Sequence, residues 1–216
     1  MNEAILCDSN GKFLDTKQMF SSKLKVKYIR APLIEHARSY VQNKIRTPPQ
    51  MILLRTSTND LELANSTEEL VSNILMLITE ASTKFPSSKI LFSTLLPRND
   101  IPTPLIISIN DQLISSCSRL PNVQLIKQDN LFANQPNILN DHKHILERHI
   151  GLFAKNLKDA THKITRHLLK VAVHCCVMLH TATLSRTHLL TPLIGLTTLR
   201  LVLRQCHLLN HDCSNK

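Results

Sequence analysis

The 216-residue chain is 43% hydrophobic but only 4% aromatic and lacks tryptophan, so Leu, Ile and Val must fill its core. Its six cysteines, only two of them before residue 160, exclude a small domain framed by disulfides. The formal net charge of +10 favours anionic partners or surfaces without naming one.

In chain order, the run AILC (4–7) suits a buried strand and stops abruptly in Asp8-Ser9-Asn10-Gly11. VKYIR (26–30) is rich in β-formers. Leu33, Ile34, Ala37, Tyr40, Val41 and Ile45 recur at helical spacing, and Pro48-Pro49 ends that helix. MILL (51–54) is a second fully apolar strand, closed by RTSTND. Ser66-Thr67-Glu68-Glu69 reads as a hydroxyl N-cap followed by acids in a first turn, opening a helix to about Lys84. KILFSTL (89–95) is a further strand, Pro102-Thr103-Pro104 opens a helix through about Cys117, and Val123–Leu125 sits in a last short strand. A final helix is expected over about 143–158.

Five alternations of strand and helix, with three strands apolar and not alternating, predict an α/β fold: a five-stranded parallel sheet covered on both faces. Active sites in such sheets lie beyond the carboxyl ends of the strands. Polar clusters fall there: DSN after the first strand, TSTND after the third and NDHKH after the fifth.

Ser9 is either a turn-capping residue or a nucleophile. A nucleophilic serine needs a base, a group that orients the base, and donors for the oxyanion. His144 and Asp141, three residues apart, suit the first two roles, and Asn59 offers a side-chain donor. Each motif alone is usually turn or cap chemistry. Together they converge, because each follows a different parallel strand.

These residues resemble the SGNH (GDSL-type) esterases and lipases over residues 4 to about 160, most closely the esterase-type domains of fish LINE-type retrotransposon proteins. AILCDSNGKFLD is similar to the first block, ILLRTSTNDLE to the third and DHKHILERHIGLFAKNLKDA to the fifth. The resemblance implies a three-layer, flavodoxin-like sandwich. It places Ser9, Asp141 and His144 in a catalytic triad, the Ser9 N–H and Asn59 in the oxyanion hole, and Asp8 and Asp60 in supporting positions. It implies hydrolysis of an acetyl, other short-chain or lipid acyl ester, with no metal or organic cofactor. Three positions depart from the family pattern. Cys7 and Ser57 stand where glycines are usual, and RAPLIEHARSY, after the second strand, holds no glycine to complete the oxyanion hole; an N–H near Ala31 is the available replacement.

A second reading is therefore kept: an interaction module that retains the fold without efficient catalysis and accompanies retroelement RNA or self-assembles. The basic stretches KLKVKYIR (23–30) and KHILERH (143–149) are the candidate phosphate contacts. The oligomeric state is left open.

Residues 161–216 differ from what precedes them. They carry seven Lys/Arg and one acid, with seven of eleven His and four of six Cys. Their His and Cys spacings fit no zinc pattern, so no metal is assigned. Their apolar runs are too short to span a bilayer. We expect a domain over 1–160 and a poorly ordered or weakly helical tail over 161–216, of read-through, frame-shifted or unspliced origin. The N-terminus lacks a basic stretch followed by an apolar core, so no signal peptide is read and a cytoplasmic location with free Cys7 and Cys117 is expected. Only Met1-Asn2-Glu3 precedes the first strand, so the chain reads as part of a longer element protein.

Overall fold

A computed structural model describes residues 2–14, 25–132 and 137–164. The apolar runs become the strands of one parallel sheet. The strands are β1 (Asn2–Cys7), β2 (Lys25–Arg30), β3 (Met51–Arg55), β4 (Lys89–Ser93) and β5 (Val123–Ile126), in the order β2-β1-β3-β4-β5. All four pairings are parallel. The predicted five-stranded α/β sheet is therefore present, with the flavodoxin-like strand order.

The helices follow the predicted spacing. They are α1 (Ile34–Asn43), α2 (Thr67–Lys84), α3 (Thr103–Cys117), the single turn α4 (Asp129–Phe132) and α5, over 150–164. Ser66 caps α2 as expected: its hydroxyl accepts from the Glu69 N–H at 3.1 Å, a contact of about 1 kcal/mol in such positions. Ala37 and Val41 of α1, Leu70, Ile74, Leu77 and Ile78 of α2, and Ile106, Ile109 and Leu113 of α3 form one buried cluster. They meet Ala4, Leu6, Ile52, Leu54, Ile90 and Phe92 from one face of the sheet. The residues between them on the strands (Ile5, Leu53 and Leu91) point to the other face and are equally buried, as are Phe153 and Leu157 of α5. Burial on both faces explains why these strands are continuously apolar.

The chain divides into two compact units, Met1–Ala160 and Thr161–Lys216. Only residues 161–164 of the second are described, so the expected character of that tail lies outside the described residues. No helix among the described residues is long and apolar enough to cross a membrane.

A carboxyl group lies inside the sheet at its β1 strand. Glu3 of β1 is 4% exposed, and its Oε2 has no hydrogen-bond partner among the described residues. Burial pushes its carboxyl up to about 7. The folded chain thus keeps a proton that the unfolded chain releases above about pH 4.5. The stability Glu3 contributes is full below that pH, falls as pH rises, and is lost above about 7. Glu3→Gln is expected to flatten this fall and to stabilise the protein at pH 8 by roughly 2 kcal/mol. Urea denaturation of both proteins at pH 4.5 and pH 8 measures it, and equal differences at the two pH values would refute the assignment.

Candidate active site

The carboxyl ends of β1 and β3 lie side by side, with Cys7 in register with Arg55. The chain leaves β1 through Asp8 into a tight 3-10 turn, Ser9–Phe13, and the Asp8 side chain caps that turn by accepting from the Asn10 N–H at 3.0 Å. Asp8 is buried, and its other oxygen pairs with Arg55 Nη1 at 3.1 Å. Its own N–H donates to the Arg55 carbonyl at 2.8 Å. Asp8 thus supports the turn that presents Ser9.

Ser9 Oγ lies 2.8 Å from His144 Nε2, and His144 Nδ1 lies 2.6 Å from Asp141 Oδ2. The three side chains form one continuous hydrogen-bonded row, half-buried at Ser9 and His144 and exposed at Asp141. The other Asp141 oxygen accepts from the N–H groups of Lys143 and His144 at 2.8 and 2.7 Å. Desolvation pushes the Asp141 carboxyl up, but the hydrogen bonds from the His144 ring and these two N–H groups outweigh it. They hold the group well below the usual carboxylate range. Asp141 therefore remains a charged acceptor across the ordinary pH range.

The expected helix over about 143–158 begins later. Residues 138–146 form a closed loop instead. Leu139 bridges Ile145 in antiparallel fashion, Asn140 N–H donates to the His144 carbonyl at 2.7 Å, and Leu146 N–H donates to Ile138 at 2.8 Å. A short 3-10 turn, Glu147–His149, then leads into α5. The Asp141 carboxylate takes backbone donors two and three residues on, which is the alternative to helix that Asp side chains offer. Asp141 and His144 are neighbours through this turn, not through a helical face.

Asn59 reaches the loop after β2: its Nδ2 donates to the Pro32 carbonyl at 3.0 Å. Asp60 accepts from the Ile34 N–H with both oxygens at 3.2 Å, tying the β3 loop to the start of α1, and burial pushes its carboxyl up. The N–H of Ala31, suggested as a replacement oxyanion donor, is not available. It donates to the Cys7 carbonyl at 2.8 Å, extending the β1–β2 ladder by one residue.

The missing glycines have a local explanation. Cys7 is fully buried, and burial pushes its thiol up, so it is inert packing. The space it fills is vacated by Gly11. A Cβ on Gly11 would stand 2.8 Å from Cys7 Cβ, closer still to Cys7 Sγ, and 2.9 Å from Tyr28 Oη. Ser57 holds a φ of 90°, the region that favours glycine, and its buried hydroxyl has no partner among the described residues.

Sequence reasoning missed two arginines. Arg55 is fully buried, donates to Thr58 Oγ1 at 3.0 Å as well as to Asp8, and lies 5.6 Å from the Phe153 ring centre. Arg98 donates to the Thr58 carbonyl at 2.7 Å and pairs with Glu62 at 2.6 Å and with Asp100. A charge closing the otherwise apolar MILLR run was the available signal for Arg55. Glu62, Asp100 and His142 cluster at the surface within metal-binding reach, but Arg98 already pairs with both carboxylates.

The fold is that of the GDSL-type hydrolases. A member of the lipolytic G-D-S-L family from Veillonella parvula superposes with a TM-score of 0.58 at 15% identity, covering 72% of this chain and 95% of that one. A GDSL-like lipase from Bacteroides thetaiotaomicron gives 0.59 at 14% identity, covering 76% and 88%. In sequence, the chain is 30% identical over 127 residues to the platelet-activating factor acetylhydrolase IB subunit alpha2 of Gallus gallus, and 31% identical to the Homo sapiens protein of the same name. The match covers 56% of this chain and 54% of either relative, so the chain spans about half the length of the curated relatives it matches. No family model matches it.

Substitutions at three positions test the account of the glycines. Ser57→Gly is expected to raise stability by about 1 kcal/mol, since a non-glycine residue at such φ costs on the order of 1–3 kcal/mol; an unchanged urea midpoint would remove the argument for strain. Gly11→Ala is expected to lose about 1–3 kcal/mol by overpacking. Part of that loss should return when Cys7→Ala is added, and a purely additive double variant would show that the two residues do not share the space.

Proposed function

We propose that the chain is a serine ester hydrolase acting on short acyl esters, acetyl above all. The observation that carries the reading is the unbroken row Ser9–His144–Asp141, with contacts of 2.8 and 2.6 Å. Acetyl is the acyl group named in the avian and human relatives. The lipid esters and retroelement origin implied by the sequence resemblance add no step to this chemistry.

Ser9 Oγ attacks the ester carbonyl carbon as His144 Nε2 takes its proton. The carbonyl π pair moves onto oxygen, and collapse of the tetrahedral intermediate expels the alcohol, which receives the proton from His144. Water, deprotonated by His144 in turn, attacks the acyl carbon; the bond to Ser9 Oγ breaks, Oγ takes the proton back from His144, and the carboxylic acid departs. Asp141, ionised throughout, holds Nδ1–H and stabilises the imidazolium. The oxyanion is held by the Ser9 N–H and by the second hydrogen of Asn59 Nδ2, whose first is engaged by Pro32.

The full chain is expected to hydrolyse p-nitrophenyl acetate and to form a fluorophosphonate adduct at Ser9. Ser9→Ala should abolish the adduct and lower kcat at least about 10³-fold, and Asn59→Ala should lower kcat about 10²–10³-fold. Equal turnover by the wild type and Ser9→Ala would sink the hydrolase reading and leave the interaction module as the alternative.

A further inference from the structure

Asn10 follows Ser9 and is buried, with 3% of its surface exposed. Its backbone stays in the nucleophile turn, where its N–H is taken by Asp8. Its side chain crosses to the other loop. Asn10 Nδ2 donates to the Lys143 carbonyl at 3.3 Å, and Asn10 Oδ1 accepts from the Ile145 N–H at 3.0 Å. Lys143 and Ile145 are the two chain neighbours of His144. One primary amide therefore grips the backbone on both sides of the imidazole.

We propose that Asn10 is a positioning residue that sets the Ser9–His144 contact; the inference rests on the hydrolase reading of those two residues. Asp141 cannot do this. Its bonds to the Lys143 N–H, the His144 N–H and the His144 ring all lie within four residues, so they orient the imidazole within its own loop. They do not fix where that loop stands relative to Ser9. Other ties of the loop run elsewhere: the Asn99 N–H to the His142 carbonyl at 2.9 Å, Asn99 Nδ2 to the Asp141 carbonyl at 3.5 Å, and Lys143 Nζ to Glu62 at 2.9 Å. The Ser9–His144 bond itself must break and re-form as the proton moves. The Asn10 amide spans the same gap and takes no part in proton transfer.

The chemistry of the side chain fits only an amide. The Lys143 carbonyl requires a donor and the Ile145 N–H an acceptor, which also settles the orientation of the amide. Asparagine has only two side-chain torsions, and with both polar ends engaged it is held firmly. An aspartate would keep the Ile145 contact and set a negative oxygen against the Lys143 carbonyl.

The test compares the full-length wild type with Asn10→Ala and Asn10→Asp, using p-nitrophenyl acetate turnover and amide hydrogen exchange at Ile145. Misplacement of a catalytic group by about 1 Å costs on the order of 10²-fold. Asn10→Ala is expected to lower kcat about 10–100-fold with KM within about twofold, and to speed Ile145 exchange at least about tenfold. Asn10→Asp, which keeps one contact, should fall between. An unchanged kcat in Asn10→Ala, or a loss confined to KM, overturns the proposal. If the wild type shows neither turnover nor a Ser9 adduct, the hydrolase reading has failed on its own. Ile145 exchange then judges the clamp: no change in Asn10→Ala overturns it, and a tenfold rise upholds it.

Discussion

The Asp8–Arg55 ion pair has no exposed side-chain surface, and two of the three loops that form the candidate site, those after β1 and β3, leave the sheet from it. Removing two charges from water costs several kcal/mol per ion unless each is well satisfied. Here the satisfaction is nearly complete. Asp8 has the Arg55 guanidinium on one oxygen and the Asn10 N–H on the other. Arg55 adds Thr58 Oγ1, the Thr56 carbonyl and the face of Phe153, and only its Nε is left without a partner among the described residues. Because the main chains are also joined, from the Asp8 N–H to the Arg55 carbonyl, the ends of β1 and β3 are locked in direction as well as in place. Ser9 follows one lock point by a single residue and Asn59 the other by four.

That anchor explains how the site does without two of the glycines usual in its fold. Glycine normally lets a loop take a tight path at little steric cost. In this chain the path is enforced from outside. The loop carrying Ser57 is held by Arg55 at Thr58 Oγ1 and by Arg98 at the Thr58 carbonyl, so a serine can be carried through a φ of 90°. At Cys7 the solution is an exchange of volume, the thiol occupying room that Gly11 leaves free. Both devices keep the backbone course and spend stability to do so. The absence of glycine at these positions is thus weaker evidence against catalysis than it looks in the sequence.

What was legible in the sequence is what depends on local pattern. The continuous apolar runs marked β1, β3 and β4 because both sheet faces are buried, and the helical spacing and Ser66 cap placed α1 to α3 within about two residues. The Asp141–His144 pairing was legible as a spacing but not as a shape. A spacing of three fits the first turn of a helix, and nothing in DHKH announces that the carboxylate will instead close a turn on the next two N–H groups. Arg55 and Asn10 were not legible. Arg55 acts on a partner 47 residues away and Asn10 on one 135 residues away, so their roles exist only once the parallel register of β1 and β3, and the return of the last loop, are fixed.

This divides the candidate site by the range of its contacts. Asp141 orients His144 within four residues, an arrangement the segment builds from its own hydrogen bonds. The contact between His144 and Ser9 spans 135 residues and must be delivered by the whole fold. It is there that the structure places a buried arginine beneath the Ser9 turn, a glycine that admits the cysteine beside it, and an amide spanning the two loops. A motif search reads the half of the site that needs little from the fold. The half that joins Ser9 to His144 is held by side chains other than Ser9, His144 and Asp141, and their places follow from the packing around β1 and β3.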